Sequence, residues 1–380
     1  MKILTRMIMK LDAWELELLA ASSTEKIKVV EDEVWGIIVK VLSNAIDKNS
    51  LEDSSSTQEW LNELLEYRNL LKDKTSPPIR FAFNEAIKKL QNQMDDQSNL
   101  NMDVEETWLA DQVKKKLLTP APAINKSIKV KKVINQHKRD DIKYLALAMN
   151  NMTENAFKTF KGIIRDAITQ YLRGGLTTQQ AITRASYKWA DQGIPALIDS
   201  AGKHWAPDVY VRLVMSNSIN DLYNDVEAAR FKEYGGNLVK ISSHADCRPT
   251  HLKYQDKIYS LAGKTDKYPN LYDSTNYGYG GGLCGINCRH HLMPYIPETG
   301  DAFEDKKIDA AENSRNYKIA QQQRGYENKL REAKRRLKSA KAMGDQKQID
   351  QCKKLTNQRS KRLRDFVSSN NLTRETYRER

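Results

Sequence analysis

Residues 284–295, Cys284-Gly-Ile-Asn-Cys-Arg-His-His-Leu-Met-Pro-Tyr295, place two cysteines and two of the chain's six histidines within twelve residues. Thiols and imidazoles can bind zinc, form nucleophile pairs, or satisfy the polar groups of loops that have no strand partner. The short apolar run at the end of this stretch predicts a strand near residues 292–296. The stretch therefore admits a metal site, a catalytic centre or a structural knot.

A second cluster lies about forty residues upstream, in the sequence Ser243-His-Ala-Asp-Cys-Arg-Pro-Thr-His251. Between the two clusters, Tyr277-Gly-Tyr-Gly-Gly-Gly-Leu-Cys-Gly285 has enough glycine for the chain to fold back tightly. Short apolar runs predict two more strands near residues 237–242 and 257–260. We therefore predict a small β-containing Cys/His module over residues 236–300.

Zinc is one candidate for this module, because the two clusters together offer more than the four nitrogen or sulfur ligands that tetrahedral zinc takes. The favoured ligands are Cys247, His251 and Cys288. The spacings match no standard zinc finger, since Pro249 interrupts the first cluster and the Cys284-x3-Cys288 spacing is wider than a two-residue knuckle. A chain of 380 residues requires no cofactor to be stable, so zinc is a candidate only.

Two other interpretations stay open. Cys288, activated by His251 and oriented by Asp246, would form a nucleophile of a hydrolase or nuclease. In the structural interpretation, which we favour, buried histidines together with Arg248 and Arg289 bridge loop backbone groups, because a guanidinium offers five donors in a fixed fork. The sequence thus predicts a protein that is not an enzyme.

Helical periodicity dominates on both sides of the module. Two prolines in Thr119-Pro-Ala-Pro-Ala-Ile-Asn125 predict a break between helical regions, and Gly235-Gly236 ends the long apolar helix that begins near Asp208. We predict a mainly α, elongated, multi-domain α+β protein with a C-terminal antiparallel helical hairpin. Its parts are an N-terminal helical region (1–118), a Pro-containing linker (119–130), a central helical domain (131–235), the module (236–300) and the basic hairpin (301–380).

The ends of the chain carry no secretion or membrane signal. Met1 to Lys10 is basic and apolar, but Asp12, Glu15 and Glu17 follow, so an amphipathic helix is predicted there. No stretch reaches the roughly 20 apolar residues of a membrane span. The four cysteines are too few and too scattered for a disulfide framework, which favours synthesis in a reducing cytoplasm.

The net charge of +13 is concentrated near the C-terminus, where residues 301–380 contain 22 lysines and arginines against 12 aspartates and glutamates. Such a surface favours nonspecific contact with the phosphates of double-stranded DNA or with an acidic partner. A solvated helical face is the alternative, because acidic residues are interspersed. The predicted contact residues are Arg331, Lys334, Arg335, Arg336, Lys338, Lys353, Lys354, Arg359, Lys361 and Arg362.

The two clusters also resemble a known family. The sequence His-Ala-Asp-Cys-Arg-Pro-Thr-His251, followed by Asn287-Cys-Arg-His-His291 and Pro294, resembles the minor capsid protein 2 family of tailed phages and prophages, and more distantly the Mu F-like head morphogenesis proteins. Similar segments extend over roughly residues 140–380, including Gln321-Gln-Gln-Arg-Gly-Tyr-Glu-Asn-Lys-Leu-Arg331. The residues that match the family motif are Asp246, Arg248, Pro249, His251, Tyr259, Asn287, Cys288, Arg289 and His290.

This resemblance implies a head protein of the virion, located in the head interior or at the portal vertex. Such a protein would be made in the host cytoplasm and would contribute to head assembly, DNA packaging or DNA ejection. Its partners would be the portal protein, other head proteins and packaged DNA. The resemblance assigns no catalytic role to any residue. The sequence departs from the pattern at Asp256, where glycine is expected, and at Cys247, which the pattern does not require. A hydrolase or nuclease delivered with the virion, and a cytoplasmic nucleic-acid-binding module unrelated to capsids, are the alternatives.

Overall fold

The computed structural model describes residues 13–48, 57–100, 102–263, 267–299 and 308–379. The predicted N-terminal amphipathic helix over residues 1–10 lies outside the described residues. The fold is mainly α, as predicted, and contains two small antiparallel sheets. Its helices are α1 (Ala13–Lys48), α2 (Thr57–Leu100), α3 (Met102–Lys114), α4 (Ile128–Leu172), α5 (Thr178–Gln192), α6 (Pro207–Glu233), α7 (Leu271–Thr275), α8 (Ala310–Met343) and α9 (Gln346–Ser369).

The start of α5 and the end of α6 have local causes. Helix α5 begins with a capping box, in which the Thr177 side chain accepts from the backbone N–H of Gln180 and the Gln180 side chain accepts from that of Thr177. Helix α6 stops before Gly235, whose positive φ of 82° favours glycine because a Cβ is strained there. The next glycine, Gly236, packs directly against the Phe231 ring, where a Cβ would lie 2.2 Å from a ring atom. A side chain at either position would therefore change the exit of the chain from α6.

Three strands form the sheet of the Cys/His module, and all three lie where the sequence predicts them. They are β3 (Leu238–Ile241), β4 (Ile258–Ser260) and β5 (Leu292–Tyr295), and β3 is the central strand, antiparallel to both neighbours. Val239 pairs with Tyr259 on one side and with Pro294 on the other. A two-stranded sheet of β1 (Leu197–Ile198) and β2 (His204–Trp205) was not predicted.

The chain is divided into two compact units, each built from three segments. One contains Met1–Ser22, Ile87–Tyr144 and Arg212–Ala320, and therefore holds the Cys/His module. The other contains Ser23–Ala86, Leu145–Val211 and Gln321–Arg380, and holds most of the C-terminal hairpin. The boundaries of the five parts and the elongated shape predicted from the sequence stay predictions.

In the module's unit, apolar residues of α3 and α6 pack against the small sheet. Leu109, Phe231, Val239 and Leu292 belong to one buried cluster. Beside it, Arg230 of α6 has a side chain that is 1% exposed and pairs with Glu106 of α3 through two hydrogen bonds of 2.5 and 2.7 Å. A buried guanidinium is tolerated here because carboxylates satisfy it. This core fixes α6 beside β5.

The predicted C-terminal antiparallel hairpin is confirmed. Gly344, with a φ of 71°, lies in the turn between α8 and α9, and Asp345 caps α9 by accepting from the backbone N–H of Gln348. Leu330 of α8 packs against Leu363 and Val367 of α9. No described helix is long and apolar enough to span a bilayer.

Candidate functional site

The Cys/His module is held in place by one polar face of α6. Asn220 Nδ2 donates to the carbonyl of Cys288 at 3.3 Å. Asn224 Nδ2 donates to the carbonyl of His290 at 3.1 Å, and its Oδ1 accepts from the backbone N–H of Leu292 at 2.9 Å. Both asparagines are buried, so these bonds satisfy backbone groups of the loop and of the first residue of β5.

A third asparagine extends this face. Asn217 Oδ1 accepts from the backbone N–H of Asn287 at 3.0 Å. Sequence reasoning missed all three asparagines. Their positions, 217, 220 and 224, follow the three- and four-residue spacing of one helix face, and that spacing within an apolar helix was the available signal.

At the centre of the module, two imidazoles face one thiol. Cys288 Sγ lies 3.3 Å from His290 Nδ1 and 3.7 Å from His251 Nδ1. The ligand atoms of the three residues all lie within 4.8 Å of one another. Cys288 is 4% exposed, and each histidine is 1% exposed. The fold therefore gathers one sulfur and two nitrogens away from solvent.

The pKa values of the side chains in this cluster are shifted from their usual values. The hydrogen bond with the Cys284 thiol, followed by those with the two histidines, holds the pKa of the Cys288 thiol far below its usual value. Burial raises the pKa of Cys284 well above its usual value. The hydrogen bond with Cys288 raises the pKa of His251, whereas burial lowers the pKa of His290. Within the coupled pair of cysteines, Cys288 is thus the thiol that ionises more readily.

The third predicted zinc ligand, Cys247, is not part of this cluster, and His290 takes the position assigned to it. The backbone N–H and carbonyl of Cys247 both bond to the Asn313 side chain, at 3.0 and 2.9 Å. Burial raises the pKa of its thiol to about 11. Cys247 is thus held as a neutral, buried thiol, and the proposed ligand set changes from Cys247, His251 and Cys288 to His251, Cys288 and His290.

Several residues of the family motif shape the backbone around the cluster. Asp246 and Asn287 have φ values of 61° and 57°, the left-handed region in which short polar side chains are tolerated. Asp256, where glycine is expected, has a φ of 60°, so aspartate keeps that turn. Tyr259 is buried in β4, and Pro249 is exposed.

The two arginines of the motif bind in different ways. The Arg248 guanidinium donates to the carbonyls of Gly280 and Ile286, and these hydrogen bonds bridge the two halves of the module. Arg289 instead pairs with Glu17 at 2.6 Å. The carboxylate of Asp246 lies 3.8 Å from Nδ1 of His244, and no hydrogen bond or ion pair joins Asp246 to His251 among the described residues.

The basic residues predicted to contact nucleic acid fall into two sets. All five on α8 have partners within the protein. Arg331 forms a buried pair with Asp208, and Lys338 pairs with Asp32. Arg335 donates to the carbonyls of Ala190 and Asp191 in the last turn of α5, Arg336 binds the Asp191 carboxylate in bidentate fashion at 2.5 Å, and Lys334 donates to the carbonyl of Glu379 at 2.9 Å.

The α9 set differs. Lys354, Lys361 and Arg362 are exposed, and none has an ion-pair partner among the described residues. Lys353 lies 3.8 Å from Asp350, and both side chains are more than half exposed, so this pair is weak. Arg359 is partly buried.

Sequence reasoning overlooked Lys347 as a member of this set. Lys347, Lys354 and Lys361 recur every seven residues on the face opposite the apolar stripe of α9, and all three are exposed. We call these three residues the α9 lysine row.

Together these features define a class of protein: a largely helical chain that carries a small Cys/His module and a basic helical hairpin. The model of the phage minor capsid protein 2 family matches residues 16–368, and the chain belongs to this family. It is thus a structural protein of a phage virion, and the predicted resemblance is confirmed.

Two relatives agree with this assignment. A "Structural protein" of Lactococcus phage LL-H is 27% identical over 374 residues, which cover 92% of this chain and 96% of the relative. A "Structural protein" of Lactococcus phage mv4 is 38% identical over 117 residues, which cover 30% of this chain and 92% of the relative. No solved structure matches the chain.

Proposed function

We propose that this chain is a minor head protein bound at or near the portal vertex, where it contributes to head assembly, DNA packaging or DNA ejection. Its partners would be the portal protein, other head proteins and packaged double-stranded DNA. The observation that carries the DNA contact is the α9 lysine row, three exposed cations aligned on one helix face. Helix α9 has seven basic and two acidic residues, so its positive field attracts phosphates.

DNA bound in this way is recognised by charge and not by sequence. Each phosphate contact releases counterions, so the logarithm of affinity falls with the logarithm of salt by about 0.9 per contact. Changing Lys347, Lys354 and Lys361 to glutamate should therefore weaken binding to duplexes of any sequence. The salt slope should become shallower by about one per lost contact.

A matched control exists on α4, where Lys129, Lys131 and Lys132 are also exposed. Changing these three to glutamate alters the net charge by the same amount. This change should weaken DNA binding less than the same change in the α9 lysine row. Equal losses in the two triple variants would mean that net charge alone drives binding. An affinity that is the same at low and moderate salt would refute the DNA contact.

The location is tested on particles. Quantitative mass spectrometry of purified virus-like particles should count this chain at a low, reproducible number relative to the major capsid protein, and that number should survive nuclease treatment and washing. Chemical cross-linking of the same particles should then join it to the portal protein. Absence from particles, or a copy number that follows the major capsid protein, would contradict the portal-vertex assignment.

A zinc- or Cys/His-dependent hydrolase or nuclease delivered with the virion is the second candidate. The depressed pKa of the Cys288 thiol and its two histidine neighbours favour it. The burial of all three side chains disfavours it, because a nucleophile must reach its substrate. Loss of a hydrolytic activity in folded Cys288→Ala protein would support the enzyme, and unchanged activity would remove Cys288 as its nucleophile.

A further inference from the structure

From the geometry we infer that His251, Cys288 and His290 form a binding site for a zinc ion within the Cys/His module. Tetrahedral zinc with bonds of about 2.3 Å to sulfur and about 2.1 Å to nitrogen separates a sulfur ligand from a nitrogen ligand by roughly 3.6 Å. The two distances from Cys288 Sγ to the imidazole nitrogens, 3.3 and 3.7 Å, lie on either side of this value. Both sulfur–nitrogen distances are therefore close to those of a tetrahedral zinc site.

The donor set suits zinc among biological metals. One thiolate with two imidazoles is a soft to borderline combination that favours zinc over magnesium or calcium, which take oxygen ligands. The three ligand atoms lie within 4.8 Å of one another, and all three side chains are buried. The site belongs wholly to one compact unit, within Arg212–Ala320.

The surroundings of His251 orient it as a ligand. Its Nε2 lies 3.1 Å from the carbonyl oxygen of Gly281. A carbonyl can only accept, so Nε2 carries a proton; in the neutral imidazole the lone pair is then on Nδ1, the atom that faces Cys288. Metal-bound histidines are held by this kind of second bond.

The Gly281 carbonyl belongs to a tight loop. A Cβ at Gly282 or Gly285 would lie 1.9 Å from a backbone carbonyl oxygen. The glycines therefore fix the position of the carbonyl that orients His251.

His290 supplies a more specific prediction. The Nε2 of Gln255 lies 3.2 Å from Nε2 of His290 and also donates to the carbonyl of His244 at 3.2 Å. For His290 Nδ1 to bind zinc, its Nε2 must carry the proton and donate to an acceptor. Metal binding thus requires the Gln255 amide to turn its oxygen toward His290 and to give up its hydrogen bond to the carbonyl of His244.

His244 is the candidate for the fourth ligand. Its Nδ1 lies 2.9 Å from the carbonyl of Ala245, which places the proton on Nδ1 and leaves a lone pair on Nε2. That Nε2 is buried and has no hydrogen-bond partner among the described residues. The His244 ring lies 4.4 Å from the His290 ring, between centroids, so a rotation of the side chain can bring Nε2 toward the cluster.

The test begins with the full-length chain, purified without chelator and loaded with zinc chloride. Elemental analysis should find one zinc per chain after extensive dialysis. Replacement by cobalt should give a thiolate-to-cobalt charge-transfer absorption, which reports a metal–sulfur bond directly. Substoichiometric zinc together with the absence of this absorption would overturn the proposal without any variant.

Variants then assign the ligands. Cys288→Ala should abolish the charge-transfer absorption, and His290→Ala should weaken cobalt binding at least tenfold, in protein whose circular dichroism shows the parent helix content. Cys247→Ala is the matched control, a buried cysteine of the same module, and should keep both metal and absorption. Loss of metal from Cys247→Ala with retention in His290→Ala would overturn the ligand set. Full metal retention in His244→Ala would remove His244 as the fourth ligand.

This inference does not depend on the portal-vertex proposal. Metal content is measured on the isolated chain, and copy number is measured on particles. Either result can fail while the other stands.

Discussion

Helices α8 and α9 are both basic in sequence, yet the fold uses their charges differently. Helix α8 has ten basic and three acidic residues, and α9 has seven and two. The five cations predicted as DNA contacts on the more basic helix all bind groups within the protein, whereas the α9 lysine row is exposed. Charge density in a sequence therefore does not indicate which cations remain available to a partner.

The difference arises from what each helix packs against. Arg331 is turned toward Asp208, and the two side chains are 5% and 2% exposed. Arg335 fills the position of a C-cap by donating to carbonyls at the end of α5. Helix α9 instead contacts α8 through an apolar stripe, so its opposite face is left to solvent. Substitutions in α8 and α9 should separate these two uses of charge, and the expected loss of stability falls from Asp208 to the α9 lysine row.

Asp208→Ala should have the largest effect, because it leaves the Arg331 guanidinium buried without its carboxylate. Removing one partner of a buried pair costs about 3–5 kcal/mol in the free energy of unfolding. Urea denaturation should show this loss. The double variant Asp208→Leu with Arg331→Met should recover much of it. A single variant as stable as the parent would mean that Arg331 is not paired in solution.

Leu363→Ala should come next, because Leu363 is 0% exposed and anchors α9 on α8. Truncation of a buried leucine costs about 2–5 kcal/mol through lost burial and the cavity left behind. Thermal unfolding followed by circular dichroism measures the loss. Lys361→Ala, two residues away on the exposed face, is the matched control and should change little. Similar losses in the two variants would contradict the apolar attachment of α9.

Arg336→Ala should have a smaller effect. Its guanidinium binds the Asp191 carboxylate in bidentate fashion, but its side chain is 44% exposed. Exposed pairs contribute about 0.2–1 kcal/mol, and salt screens them. The loss in stability should therefore be smaller at high salt than at low salt. Urea denaturation at the two salt concentrations measures this difference. A loss as large as that of Asp208→Ala would show that exposure does not govern the strength of these pairs.

Changing the α9 lysine row to glutamine should have the smallest effect on stability. Surface substitutions away from caps and networks usually lie within about 0.5 kcal/mol. Its effect on DNA affinity should nevertheless be larger than that of Arg336→Ala, because the row is exposed and Arg336 is already paired. Urea denaturation and a salt-titrated DNA-binding assay on the same samples measure both quantities. A large loss of stability in this variant would place the row among the structural charges.

Part of the architecture could be predicted because its causes are local. The strands of the module, the capping box at Thr177, the end of α6 at Gly235 and the hairpin across Gly344 each follow from periodicity, caps or backbone constraints within a few residues. The sequence did not show that His290, and not Cys247, lies in the cluster with His251 and Cys288. Spacing shows which residues can bind a metal, and only the folded loops show which side chains converge.

The amino-acid sequence by itself determined the mainly helical fold, the small β-containing module and membership of the phage minor capsid protein 2 family. These depend on local patterns and on motif residues that can be read in order along the chain. Only the tertiary structure decided that α6 asparagines hold the Cys288 loop, and that α8 charges are used internally while the α9 row is exposed. The Arg331–Asp208 pair joins residues 123 positions apart, and no local pattern specifies such a contact.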